Sequence, residues 1–195
     1  MGIGTRAAVT TALVAALTVG ASTTVLVPAD LPELARAAAA IAYGRVVDVR
    51  VRPAPESRRI EREVTVGVIQ YYKGDLGPSV TFSVPGGRLG HYRTVMVGAP
   101  EFAEGEEAVL FLGTAGASSP HLLGLGQGVF RVVPDTRTGE RFVVSPVLVR
   151  DESARGAVRI ERGDPARAPM RLQVFAAEVE RALAPIPRRL PGRDR

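Results

Sequence analysis

Residues Ile41 to Tyr72 read IAYGRVVDVRVRPAPESRRIEREVTVGVIQYY, and the alternation within them decides the fold class. In the first part Val47, Val49 and Val51 alternate with Asp48, Arg50 and Arg52, the period of two expected of a strand with one face on a core. The same pattern returns after Pro53-Ala54-Pro55-Glu56-Ser57, with Val64, Val66 and Val68 opposite Thr65, Gly67 and Ile69. Two strands this long are above the usual length. Long strands interrupted by glycine suit a strongly curled sheet or a small barrel, where bulges and glycines let the backbone bend.

The pattern continues outward on both sides. Ser79 to Val84 places Val80, Phe82 and Val84 on one face and Ser79, Thr81 and Ser83 on the other. Ala108 to Leu112 is wholly apolar, which predicts a central strand covered on both faces. Further strands are predicted near Leu122 to Val133 and Glu140 to Val149, with the turn Asp135 to Gly139 between them. A short helix is expected over Leu31 to Ala40, capped by Asp30, with Pro32 in its first turn. A second is expected over Met170 to Ala184, where Leu172, Phe175, Ala176, Val179 and Leu183 share a face. The expected fold is therefore mainly β: a small curled antiparallel sheet or an OB or netrin-like barrel, with a short N-terminal helix and a C-terminal helix.

The flanking stretches divide the remaining chain. Residues 1–29 carry one charge, Arg6, before an uncharged run from Ala7 to Val27, the form of an export signal with small residues at Val19-Gly20-Ala21. An uncleaved membrane anchor is the competing reading, though five threonines, a serine and a glycine make the run weakly apolar for a span. The body is assigned to 30–149, a charged connector to 150–168, the helix to 169–184 and a basic tail to 185–195. The whole chain of 195 residues carries a net charge of +5. Arg6 supplies one of those charges and the tail a net +3, so the body stands near +1. A nucleic-acid partner would call for a basic stripe with interleaved aromatics on the domain itself, so none is expected. The expected location is periplasmic or extracellular, with membrane contact only if the first segment stays uncleaved.

Four segments carry a family resemblance: Ala39 to Val49 (AAIAYGRVVDV), Ile60 to Asp75 (IEREVTVGVIQYYKGD), Gly98 to Leu112 (GAPEFAEGEEAVLFL) and Gly124 to Val132 (GLGQGVFRV). Together they resemble exported bacterial proteins of unknown function and, more distantly, the netrin-like domain of tissue inhibitors of metalloproteinases. The latter resemblance implies a five-stranded OB-type barrel whose long second strand ends in Lys-Gly, as at Lys73-Gly74. It does not carry the inhibitory mechanism over. Those inhibitors grip a protease zinc through an N-terminal cysteine, and this chain has no cysteine. Ala40 also stands where the bacterial pattern usually has an acid.

The residues argue against several chemistries. Without cysteine there are no disulfides, thiolate metal sites or thiol nucleophile. His91 and His121 have no second ligand at metal spacing, so no metal or cofactor is expected. Ser118-Ser119-Pro120-His121 holds the residue types of a triad without the shaped turn that one needs. The run Gly124-Leu125-Gly126-Gln127-Gly128 leads into a strand, whereas a phosphate loop leads into a helix. Glu104, Glu106 and Glu107 read as a solvated turn.

One loop stands out. Arg88, His91, Tyr92 and Arg93 lie on the glycine-rich segment that starts at Pro85, a mixture suited to an anionic or aromatic group. These four are the candidate binding residues. The function expected is a non-catalytic binding domain whose partner is an unidentified protein or an anionic envelope ligand. The rivals are a periplasmic or secreted hydrolase using His91 or His121, and a membrane-tethered accessory domain.

Overall fold

Ala108 to Leu112, the apolar run, is the middle of strand β6 (Glu107–Gly113), buried on both faces at the centre of the main sheet. A computed structural model describes residues 30–54, 59–114, 120–152, 157–162 and 168–185. The expected export signal and basic tail lie outside those residues, except Pro185 at the tail's start, as do Ser118 and Ser119. Strand β1 (Ala40–Pro53) flanks β6 on one side and pairs with β2 (Ile60–Lys73), which pairs with β3 (Ser79–Pro85). On the other side of β6 come β8 (Val129–Pro134), β9 (Arg141–Val144) and the two-residue β12 (Met170–Arg171). Every ladder is antiparallel.

Bulges curl the sheet. The β1–β2 register shifts at three places, one of them between Val46 and Asp48, where Val47 is left over and exposed. One extra residue moves every later side chain to the opposite face. Ala40, Ala42 and Val46 therefore point into the inner face before the bulge, and Val49 does so after it. Curling brings β3 towards β7 (His121–Leu122), which pairs with β6. Phe102 closes this inner core, its ring edge-on to Phe82 with centroids 5.7 Å apart.

The outer face is covered by helices α1 (Leu31–Ala37) and α2 (Leu172–Leu183). Asp30 caps α1 by accepting a hydrogen bond from the Glu33 amide at 2.7 Å. At the other end Lys73, the single lysine, donates to the carbonyls of Ala35 and Arg36 at 2.9 and 3.0 Å, satisfying groups the helix leaves open. Gly74 follows at φ +62°, where an added Cβ would meet the Ala39 carbonyl at 2.4 Å; only glycine fits there. Along α2, Phe175 and Val179 are buried against the sheet.

Two expectations are corrected. The sheet is curled but not closed, so the barrel alternative does not hold. Closure needs edge strands long enough to pair across the seam; here the path runs from the two-residue β12 to β3, and those two edges do not pair. The strand expected over Glu140 to Val149 is split into β9 and β10 (Val147–Glu152), and β10 runs on into the stretch expected as a connector, where it pairs antiparallel with β11 (Ala157–Arg162). Its charged composition had masked the strand pattern.

A candidate anion-binding site at the edge of the sheet

The glycine-rich excursion after β3 folds back as a hairpin, β4 (Gly87–Leu89) paired with β5 (Tyr92–Thr94), around a turn at Gly90-His91. Gly86, Gly87 and Gly90 all have positive φ, at 102°, 146° and 59°, so the path depends on residues without a Cβ. The hairpin rests on the outer end of the β1–β2 ribbon. An added Cβ on Gly87 would meet Ile60, Val51 and Arg62 at 3.2 to 3.5 Å, a measure of that close approach. Backbone bonds pin it: Gly86 donates to the Ile60 carbonyl at 2.9 Å, and the Ile60 amide donates to Thr94 Oγ1 at 3.1 Å.

Arg62 forms the floor. Its Nε donates to the Gly86 carbonyl at 3.2 Å and its Nη2 to the Pro100 carbonyl at 3.0 Å. These bonds fasten both ends of the excursion to β2 and leave Nη1 without a protein acceptor among the described residues. Arg88 and Arg93 stand opposite each other in the hairpin ladder. Like charges directly across strands repel. Neither has a carboxylate partner among the described residues; Arg88 Nε only approaches the Gly90 carbonyl at 3.5 Å.

The three arginines line an open depression of about 330 Å³ together with Thr94, Met96 and Glu101, the one carboxylate of its lining. Guanidiniums present forked donors matched to carboxylate or phosphate oxygens. The depression can thus take a small anionic group.

Of the four candidate residues, Arg88 and Arg93 line this depression, while His91 and Tyr92 lie at the exposed hairpin tip outside its lining. Arg62 was missed in the sequence, where it reads as one charge among several on a strand. Its parity on β2 is that of Val64 and Val66, an inward position, and that is the signal that could have found it. His121 lies on β7 opposite Gly113, away from His91 in the sheet topology. Gly128 and its neighbours form a 3-10 turn (Leu125–Gly128) before β8, with Gln127 buried to 3% exposure. Among the described residues no three His, Asp or Glu side chains cluster as a metal site would require. Replacing His91 and His121 together by alanine should shift unfolding free energy by less than about 1 kcal/mol, read by chemical denaturation, because both are exposed.

A second polar cluster sits on the outer face. The acidic turn expected to be solvated instead sends Glu107 into the sheet, its side chain 11% exposed. Tyr43 donates to Glu107 Oε2 at 2.5 Å, Arg141 Nε to the same oxygen at 2.9 Å, and Arg45 to Oε1 at 2.6 Å. Burial alone would raise this carboxyl, but the three donors outweigh it and hold the group down at about 2. Burial and the adjacent carboxylate push the Tyr43 hydroxyl up to about 12. Neither group titrates near neutrality, so the cluster suits a clamp joining β1, β6 and β9 better than proton transfer. Next to it Glu106 pairs with Arg131, which also bonds the Glu101 carbonyl and lies 5.9 Å from the Phe102 ring centroid. Glu104 alone stays exposed.

No protein-family model, characterised protein or solved structure that was compared with the chain matches it.

Proposed function

We propose that the chain is an exported, non-catalytic binding domain that holds an anionic group of its ligand in the depression between Arg62, Arg88 and Arg93. The observation that carries this reading is the unneutralised guanidinium trio, with two members placed cross-strand where like charge is costly without a counter-charge. A surface serving no anion would gain stability from a carboxylate at either hairpin position. The glycines and backbone bonds that hold the hairpin against β2 keep these donors positioned before a ligand arrives, which lowers the ordering cost of binding. Export is supported by Arg6 and the uncharged run Ala7 to Val27.

Isothermal titration with inorganic pyrophosphate is the direct test. The wild type should bind, and an Arg88→Ala, Arg93→Ala variant should lose at least about tenfold in affinity, since hydrogen bonds to charged groups are worth about 1.5–3 kcal/mol. Its thermal midpoint should stay within a few degrees, because both side chains are exposed. Equal affinity in the two proteins would overturn the reading.

A further inference from the structure

The hairpin that carries the arginines, together with the residues that follow it, carries the densest group of exposed apolar side chains in the described residues. Tyr92 is 79% exposed, Val95 69%, Val97 62% and Leu89 40%. Four such residues within nine positions are not the scattered singles of an ordinary surface. Leu89 and Tyr92 lie on the hairpin itself, and Val95 and Val97 follow its base. The turn Gly90-His91 is outermost, and Leu89 and Tyr92 form the first pair behind it. Arg88 and Arg93 form the second pair, and Gly87 and Thr94 the third, where the hairpin meets Ile60.

We infer that this hairpin is a docking element for an anionic lipid surface, entering tip first; the inference rests on the proposed anion site and names the source of its anion as a lipid headgroup phosphate. Successive pairs in a ladder are separated by about 3.4 Å. Tip-first entry therefore sets Leu89 and the Tyr92 ring just below the headgroups while the guanidiniums stop at the phosphates. Tyrosine suits that depth, having an apolar body and a polar end. Arg62, behind the hairpin, adds a third donor facing the same phosphates. Charge complementarity selects the occupant: the surface offers three guanidiniums against Glu101, and polybasic elements gain attraction near anionic leaflets. An apolar tip backed by cations is the arrangement of an interfacial anchor. A soluble anion would use the arginines and leave the exposed pair Leu89 and Tyr92 without a role.

Cosedimentation of the full chain with vesicles tests this, comparing equal mixtures of phosphatidylglycerol and phosphatidylcholine with phosphatidylcholine alone. Residues 1–29 are common to every variant, so differences between variants read the hairpin. The wild type should prefer the anionic vesicles. Leu89→Ser with Tyr92→Ser should weaken that binding at least about tenfold while leaving pyrophosphate affinity unchanged. Arg88→Ala with Arg93→Ala should lose both. Pyrophosphate binding without preference for anionic vesicles, or vesicle binding indifferent to either double variant, would overturn the lipid inference and leave the anion site standing. Binding of neither probe would remove both readings.

Discussion

Phe175→Ala will lower the unfolding free energy by about 3 kcal/mol, the usual cost of truncating a buried phenylalanine. The ring is almost completely buried and tilts against Phe130 with centroids 5.0 Å apart; Phe130 in turn meets Phe111 at 5.3 Å. These three rings run from α2 through β8 to β6, so Phe175 is the point at which the C-terminal helix is tied to the centre of the sheet. Its loss removes apolar burial and leaves a cavity that rigid strands on the other side cannot fill. Urea denaturation should show the midpoint falling with little change in slope. Val174→Ala, one residue earlier but half exposed, should change stability far less. Equal losses in the two variants would mean that α2 does not dock through this face.

Glu107→Gln is expected to cost about 2 kcal/mol at neutral pH, because it removes the charge that Arg45, Arg141 and Tyr43 all address. The figure is held below that of a fully buried pair because Arg45 and Arg141 are each about half exposed, where water screens them. The pH dependence follows from the shift. The carboxyl titrates near its ordinary 4.5 when the chain is unfolded and at about 2 when folded. The unfolded chain thus takes up the proton first, and the contribution is full above about pH 5 and is lost as pH falls towards 2. Wild type and Glu107→Gln should differ most at neutral pH and converge as acid is added. A difference that stays constant from pH 7 to pH 2.5 would show that the carboxylate charge is not what joins these strands.

Much of the architecture was legible because strand periodicity is local. The alternation over Ser79 to Val84 assigned Val80, Phe82 and Val84 to the core, and all three are buried. The unbroken apolar run at Ala108 to Leu112 identified the central strand for the same reason. That same run hid Glu107. When both faces of a strand are apolar, parity carries no contrast, and a charged residue at its start reads as part of the turn before it. Counted from Phe111 and Val109, Glu107 falls on the helix-covered face, where Tyr43 and Arg45 arrive from β1. The candidate loop was legible in part: Arg88 and Arg93 were found by their glycine-rich setting, whereas Arg62 joins them only through the fold-back of a hairpin beginning 25 residues later.

By itself the sequence determined most strand faces, the existence of both helices and the Asp30 cap, and the absence of cysteine chemistry, since each depends on neighbours within a turn or a few residues. The second helix starts at Leu172, because Met170 and Arg171, expected in it, pair with β9 instead. Tertiary structure decided which residues meet across the chain. The bulge at Val47 moves Val49 to the inner face, Lys73 closes the end of α1, and the two-residue β12 at one edge does not pair with β3 at the other, so the sheet stays open. Each of these depends on the register between distant segments. Register is a global minimum over many pairings, with bulges tolerated where they improve packing, so no window of local sequence contains it.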